Sequence, residues 1–246
     1  MVRRILVALA LAWAAWPTVS PAHARAVTPA ARLHAAAARY RRHLLSERPD
    51  LASRAGLERA DSRLEPVTEA TLGRDAATLS ALGESLATLD TATLARRDRA
   101  TLDTLRARVG RELAPLRDGT WRSDPAIYLG LAHDAPLESA RRARRSPCER
   151  ARRTAGRLRG VPETLRAAEV ALRGARIADP EAEAARWRVA MLDLRVTLPA
   201  LFSDCHEGER YAAFVEADTL ALEAMGRFTR FLLDRDSLAS ISGANR

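Results

Sequence analysis

The chain has 246 residues, of which 40 are basic and 31 acidic, giving a formal charge of +9. Every basic residue is an arginine, lysine and glutamine are absent and Asn245 is the sole asparagine, a bias that GC-rich codon usage produces, so the high isoelectric point does not mark a nucleic-acid binder. The two cysteines exclude a disulfide-built miniprotein, and the length is ample for one large core.

Residues 1–24 read as a signal peptide. Arg3 and Arg4 precede an apolar run from Ile5 to Trp16, and Ala22-His23-Ala24 offers a small-x-small cleavage site. The competing reading is an uncleaved anchor, but a spanning helix needs about 20 apolar residues and Pro17 ends this run early. No cysteine follows the run, which argues against a lipid anchor, and no later stretch is apolar enough to span a bilayer. The expected location is periplasmic or secreted.

Beyond residue 24 apolar residues recur at helical spacing and alternating β-branched runs are missing. The predicted fold is all-α, an antiparallel helical bundle of about seven helices over residues 25–236, with a disordered C-terminal tail at 237–246. Thr28-Pro29 opens a first helix that Pro49 stops, and residues 49–65 form a Pro- and Gly-punctuated connection. A second helix from about Pro66 aligns Leu72, Ala76, Leu79, Leu82, Leu86 and Leu89, and a third, from about Thr93 to Leu116, aligns Leu102, Leu105, Val109, Leu113 and Leu116.

After the Asp118-Gly119 turn and a segment from Trp121 to Tyr128, Asp134-Ala135-Pro136 leads into an Arg-dense helical region ending near Gly160. Val161-Pro162 starts a further helix with Leu165, Ala168, Leu172 and Ala175 inward, and Asp179-Pro180 forms an N-cap and N1 pair for one with Trp187, Met191, Leu194, Leu198 and Leu201 inward. Ser203 to Glu209 turns the chain into a last helix that buries Tyr211, Phe214, Leu222, Met225, Phe228 and Leu232.

Chemistry-bearing patterns are sparse. In an oxidising compartment Cys148 and Cys205 permit one disulfide; the alternative is two buried thiols on separate helices. A zinc-hydrolase helix needs two His one turn apart around a Glu, and His206-Glu207-Gly208-Glu209-Arg210 has Arg210 where the second His would stand. His34 and His43 are more than two turns apart, and His133 is read as alone in a loop. No Gly-x-Ser-x-Gly elbow or phosphate-cradling loop is present. Asp98 with Asp103, and Glu181 with Glu183, are read as exposed helix charges.

The strongest charge feature is the run from Arg141 to Arg159. Arg141, Arg142, Arg144, Arg145, Arg152 and Arg153 are its candidate anion-binding residues, because guanidinium forks match phosphate and carboxylate. No aromatic residue interleaves them, which argues against stacking nucleic-acid bases. The alternative is a coat of arginines whose stems cover the bundle and whose charges meet acidic neighbours.

Pro49 and Gly56, Leu82 to Leu94, Asp98-Arg99 leading into Leu102 and Leu105, Trp121-Arg122-x-Asp124-Pro125-x-x-Tyr128, and Val161-Pro162 with Leu165 and Ala168 occur in an order that resembles the N-terminal half of a bacterial family, domain of unknown function 885 (DUF885). The resemblance implies an all-helical exported protein whose relatives are more than twice as long. It further implies metal-dependent hydrolases, peptidases by type, whose C-terminal half carries a His-Glu...Gly-His segment. That segment has no counterpart here, so no catalytic residue, metal ligand or cofactor is carried over. Trp121, Asp124, Pro125 and Tyr128 are read as turn and packing residues.

The leading expectation is therefore a non-catalytic half, truncated or free-standing. Its partner is a separately encoded catalytic half or a second copy held through the last helix, with an apolar patch exposed around Phe228, Phe231, Leu232 and Leu233. The alternative is a free-standing envelope module that binds anionic ligands through the arginine surface. An enzyme acting alone is the least favoured of the three.

Overall fold

Small polar residues and prolines set most helix starts, because they satisfy or remove N–H groups that have no partner in the first turn. Thr28 Oγ1 accepts from Ala31 N, Thr68 and Thr71 cap each other reciprocally, Asp124 accepts from Ala126 N, Ser146 from Glu149 N and Asp179 from Ala182 N. Each such cap stabilises its helix by about 1 kcal/mol.

In this computed structural model, the residues described are 28–243 apart from 66, 143, 144 and 207, with side chains as far as 234. They form α1 (Pro29–Glu47), α2 (Pro49–Arg54), α3 (Glu69–Ala87), α4 (Arg96–Arg117), α5 (Pro125–Leu129), α6 (Ala135–Ala140), α7 (Pro147–Leu158), α8 (Val161–Leu172), α9 (Pro180–Leu201) and α10 (Gly208–Gly243). Among the described residues no strand occurs, and the seven helices of twelve residues or more match the number the spacing predicts. The predicted signal peptide, Arg144, Glu207 and the final three residues lie outside the described part.

Three boundaries differ from the sequence reading. Pro49 does end α1, yet it also begins α2, since a proline at N1 gives up an N–H that would have no partner. The connection 49–65 thus holds a short helix and a 3₁₀ turn at Glu58–Ala60. The chain from Pro125 to Ala140 is continuously helical rather than looped at Asp134-Ala135-Pro136. Pro136 has no N–H, and just before it the helix widens into a π-turn, Gly130–Asp134, in which Ala135 N–H reaches the Gly130 carbonyl. Finally, the backbone of α10 runs on as helix to Gly243, where the sequence reading starts a tail at 237.

Two cores result. Leu33, Leu79, Leu82, Leu86 and Leu102, all fully buried, hold α1, α3 and α4 together. Tyr128, Leu158, Trp187, Leu194, Phe202, Phe214 and Phe228 fill the space between α5 and α10, with the Trp187 and Phe228 rings 4.6 Å apart. Each of these side chains contributes about 1.5–3 kcal/mol by leaving water.

The segment 62–64 joins the halves by lying directly on α7. A Cβ on Gly156 would collide with the Ser62 carbonyl oxygen, and one on Gly160 would sit 2.9 Å from Leu64 Cβ, so both positions need glycine for close approach. Cys148 on α7 is bridged to Cys205 in the turn between α9 and α10, closing 57 residues of sequence. Of the two states the sequence left open, the structure has the disulfide.

Candidate functional site

The π-turn positions a polar pocket, a space of about 430 Å³ between α2, α6 and α9. π-turns recur at functional sites because they push one side chain out of helical register; here it is His133. Its Nδ1 lies 2.7 Å from Asp134 Oδ1 and its Nε2 lies 2.9 Å from Asp193 Oδ2. A carboxylate oxygen thus stands at each ring nitrogen. Thr197 Oγ1 donates to Asp193 Oδ1 at 2.6 Å, and this hydroxyl, with His133, holds the Asp193 carboxyl below its ordinary range.

Arg54 crosses the pocket to Glu138 at 3.1 Å, and Arg141 stands on its wall. The site therefore mixes two guanidinium groups, one imidazole and three carboxylates. It can orient a small polar or zwitterionic group. Among the described residues no set of three His, Cys, Asp or Glu side chains is placed to hold a metal ion.

The sequence reading left His133 alone in a loop. The structure corrects this: it sits in a helix, and Asp193, sixty residues onward, is its second partner. Only the adjacent Asp134 was a local signal. His43, by contrast, is buried against Asp75 at 2.5 Å, inside a network in which Arg48 also binds Asp75 (2.9 Å) and Tyr40 donates to Glu112. Burial alone would raise the Asp75 carboxyl; the His43 hydrogen bond and the Arg48 charge more than offset it and hold it low. Burial pushes Glu112 up. His34 is exposed, 3.4 Å from Asp98.

The arginine run proves to be mostly structural. Arg142 donates to the Ser53 carbonyl and hydroxyl, Arg145 pairs with Glu58, and Arg152 forks onto Glu149 with both bonds at 2.8 Å. Arg153 reaches Glu149 (2.7 Å) and the Glu58 carbonyl (2.7 Å), and lies 3.6 Å from Asp61. Arg152 first and then Arg153 drive the Glu149 carboxyl down to about 2. Arg157 is fully buried and donates to three carbonyls, Ala135 (2.5 Å), Pro49 (3.2 Å) and Ala60 (3.2 Å). These side chains are not gathered into one open anion surface, because α2 and the 3₁₀ turn bring acids and carbonyls onto them. Arg141 is the described member of the six candidates that faces the polar pocket.

The Trp121 to Tyr128 segment behaves as a turn and packing unit. The buried Tyr128 hydroxyl donates to the Trp121 carbonyl at 2.8 Å, Asp124 caps α5 ahead of Pro125, and the Arg122 guanidinium sits 4.2 Å over the Trp121 ring. Burial pushes the Tyr128 phenol up to about 12.

A second unusual surface lies on α9 and α10. Val189, Leu192 and Val196 repeat at helical spacing and are each more than half exposed. Beside them runs a groove of about 650 Å³ whose wall includes Met191, Leu222, Arg195 and Asp218. Asp218 is 9% exposed, one carboxyl oxygen has no hydrogen-bond partner, and burial, partly countered by Arg195, raises its carboxyl to about 6. Of the patch expected at the end of the last helix, Phe231 and Leu233 are half-buried and the other two residues are withdrawn from the surface. Phe228 and Leu232 are fully buried, because α10 turns that face onto Trp187 and the rest of the C-terminal core.

Comparison with known proteins supplies the relationship. No curated protein matches the sequence. Among solved structures, a lipoprotein of unknown function from Shewanella oneidensis has the same fold, with a TM-score of 0.67 at 16% identity. The similarity covers 89% of this chain and 39% of that one, so the chain spans about two fifths of the length of the structure it matches. The sequence also matches, over residues 49–235, the family described as bacterial protein of unknown function (DUF885), and the chain belongs to that family.

Proposed function

We propose that this chain is the non-catalytic helical half of an exported, two-part DUF885 assembly, and that it docks through the α9–α10 face onto a separately encoded half of the metal-dependent hydrolase type. The observation that carries the reading is the apolar strip of Val189, Leu192 and Val196 beside a groove that holds an unpaired, buried carboxyl. Exposed apolar strips of this kind mark interfaces, and a buried carboxyl oxygen without a partner gains most from a donor supplied across one. The extent of the Shewanella oneidensis protein, of which this chain matches 39%, supports the reading with a ready occupant: the rest of such a fold. The absence of a described membrane-spanning helix is compatible with a periplasmic or secreted location.

The test begins by co-expressing the chain with the polypeptide encoded in the frames that follow it and asking whether the two co-purify. The reading expects a stable pair that Leu192→Arg with Val196→Arg separates, while the helical circular dichroism and the Tm of the chain are unchanged because both residues are exposed. A chain that co-purifies with nothing, stays monomeric and ignores a hydrophobic dye would overturn it.

A further inference from the structure

The α1–α4 face carries a groove that neither the family relationship nor the docking face uses. It has a volume of about 480 Å³, within the range of small-molecule sites, and its floor includes Leu44, Leu57 and Leu105. Arg41 from α1 and Arg97 and Arg108 from α4 line it, and no acidic side chain does. Arg97 and Arg108 are eleven residues apart, about 16 Å along the helix axis, so a guanidinium stands at each end of this stretch of α4.

Two acids close to these arginines along α4 are already engaged. Glu112, one turn beyond Arg108, accepts from the Tyr40 hydroxyl, and Asp98, next to Arg97, lies 3.4 Å from His34. Among the described residues no hydrogen bond or ion pair from a side chain engages the guanidinium groups of Arg41, Arg97 or Arg108, in contrast to the arginines of α7. An apolar floor would bury alkyl carbon, and because a cation stands at each end of it, an anionic head meets a guanidinium whichever way the chain lies. A cationic or neutral amphiphile would leave them unmatched.

We propose that this groove is a binding site for a single-chain fatty carboxylate, with the acyl chain along α4 on Leu44, Leu57 and Leu105 and the carboxylate on the arginine rim. The experiment is isothermal titration of the purified, delipidated chain with laurate below its micellar concentration, beside dodecanol and dodecyltrimethylammonium. Laurate is expected to bind saturably at one per chain, dodecanol about tenfold or more weakly for want of the charged contact, and the ammonium salt not at all. The triple variant Arg41→Ala, Arg97→Ala, Arg108→Ala should bring laurate down to the level of dodecanol and leave dodecanol itself unchanged. Ala100→Trp, at an exposed position on α4 that lines the groove, should abolish both, with circular dichroism confirming the fold. Equal binding of laurate and dodecanol, laurate binding that survives Ala100→Trp, or no saturable binding would each overturn the site. Adsorption to anionic vesicles without laurate binding would assign the arginines to a membrane surface and would overturn it too.

Discussion

The helices before Arg117 and those after Pro125 reach the same end, a buried apolar seam, with different side chains. In α1, α3 and α4 the seam is almost all leucine, and Tyr40 is the one aromatic residue among its buried members. Within it lies a charged network of His43, Arg48, Asp75 and Glu112. In α5 to α10 the seam is aromatic, with Trp187, Phe202, Phe214 and Phe228 in ring contact, and a disulfide closes it. Leucine seams are tolerant of sliding, and the buried charges of the first half restrict it, since a slipped register would strand an ion away from its partner. Rings of fixed shape and a covalent link do that work in the second half. The difference teaches that the two halves are separately specified, and that segment 49–64 joins them through α6, α7 and the turn between these two helices.

Arg157 is the place to break that union. It belongs to the aromatic half, yet two of its three carbonyl acceptors, Pro49 and Ala60, belong to the other. Arg157→Ala leaves three buried acceptors unmatched, and the expected loss is about 3–5 kcal/mol. Chemical unfolding followed by circular dichroism should then show two transitions where the parent shows one; a single transition of unchanged midpoint would refute the joint.

Removing the disulfide tests whether it serves one half alone. Cys148→Ser with Cys205→Ser opens a 57-residue loop, for which chain entropy predicts a loss of about 2–4 kcal/mol. Tested in the Arg157→Ala background, where the halves melt apart, the effect should appear in the fluorescence of buried Trp187, read with Trp121 replaced by phenylalanine. An equal shift at probes placed on α1 or α3 would mean that the two halves unfold as one.

The smallest expected effect is a gain. Asp218, with its carboxyl raised to about 6, favours the folded state fully only below its unfolded value, about 3.9, and that contribution disappears as pH rises through 6. Asp218→Asn should therefore raise stability at pH 7.5 by about 2 kcal/mol and leave it nearly unchanged at pH 4. A pH-independent effect would show that the carboxyl has a partner. If the proposed second half supplies one, adding it should cancel the gain.

What the sequence disclosed was local. Thr28-Pro29, Asp179-Pro180 and the leucine spacing of α3 and α4 act within a turn or two, so helix positions and inward faces could be read from them directly. Two cysteines allow one pairing, but whether their Cα atoms come within 4.7 Å depends on the path of three helices. The pocket at His133 was hidden for the same reason: Asp193 reaches it from α9, and the π-turn depends on how a helix accommodates Pro136. The arginines around α7 were conspicuous as charge, but their partners were not legible, because Glu58, Asp61 and the carbonyls that meet Arg145 and Arg153 lie about ninety residues earlier.

Gly156 and Gly160 act as a keyway cut into α7, and residues 62–64 are the key. A key fits at one depth only. Sliding the segment by one residue would set a side chain of a neighbouring turn, Ala155 or Arg157, where the backbone now rests, so the α1–α4 half has a single seat on its companion. A methyl group added at position 156 would be felt far from itself: by lifting Ser62, it would draw the Ala60 carbonyl away from Arg157 and loosen a buried charge that spans both halves.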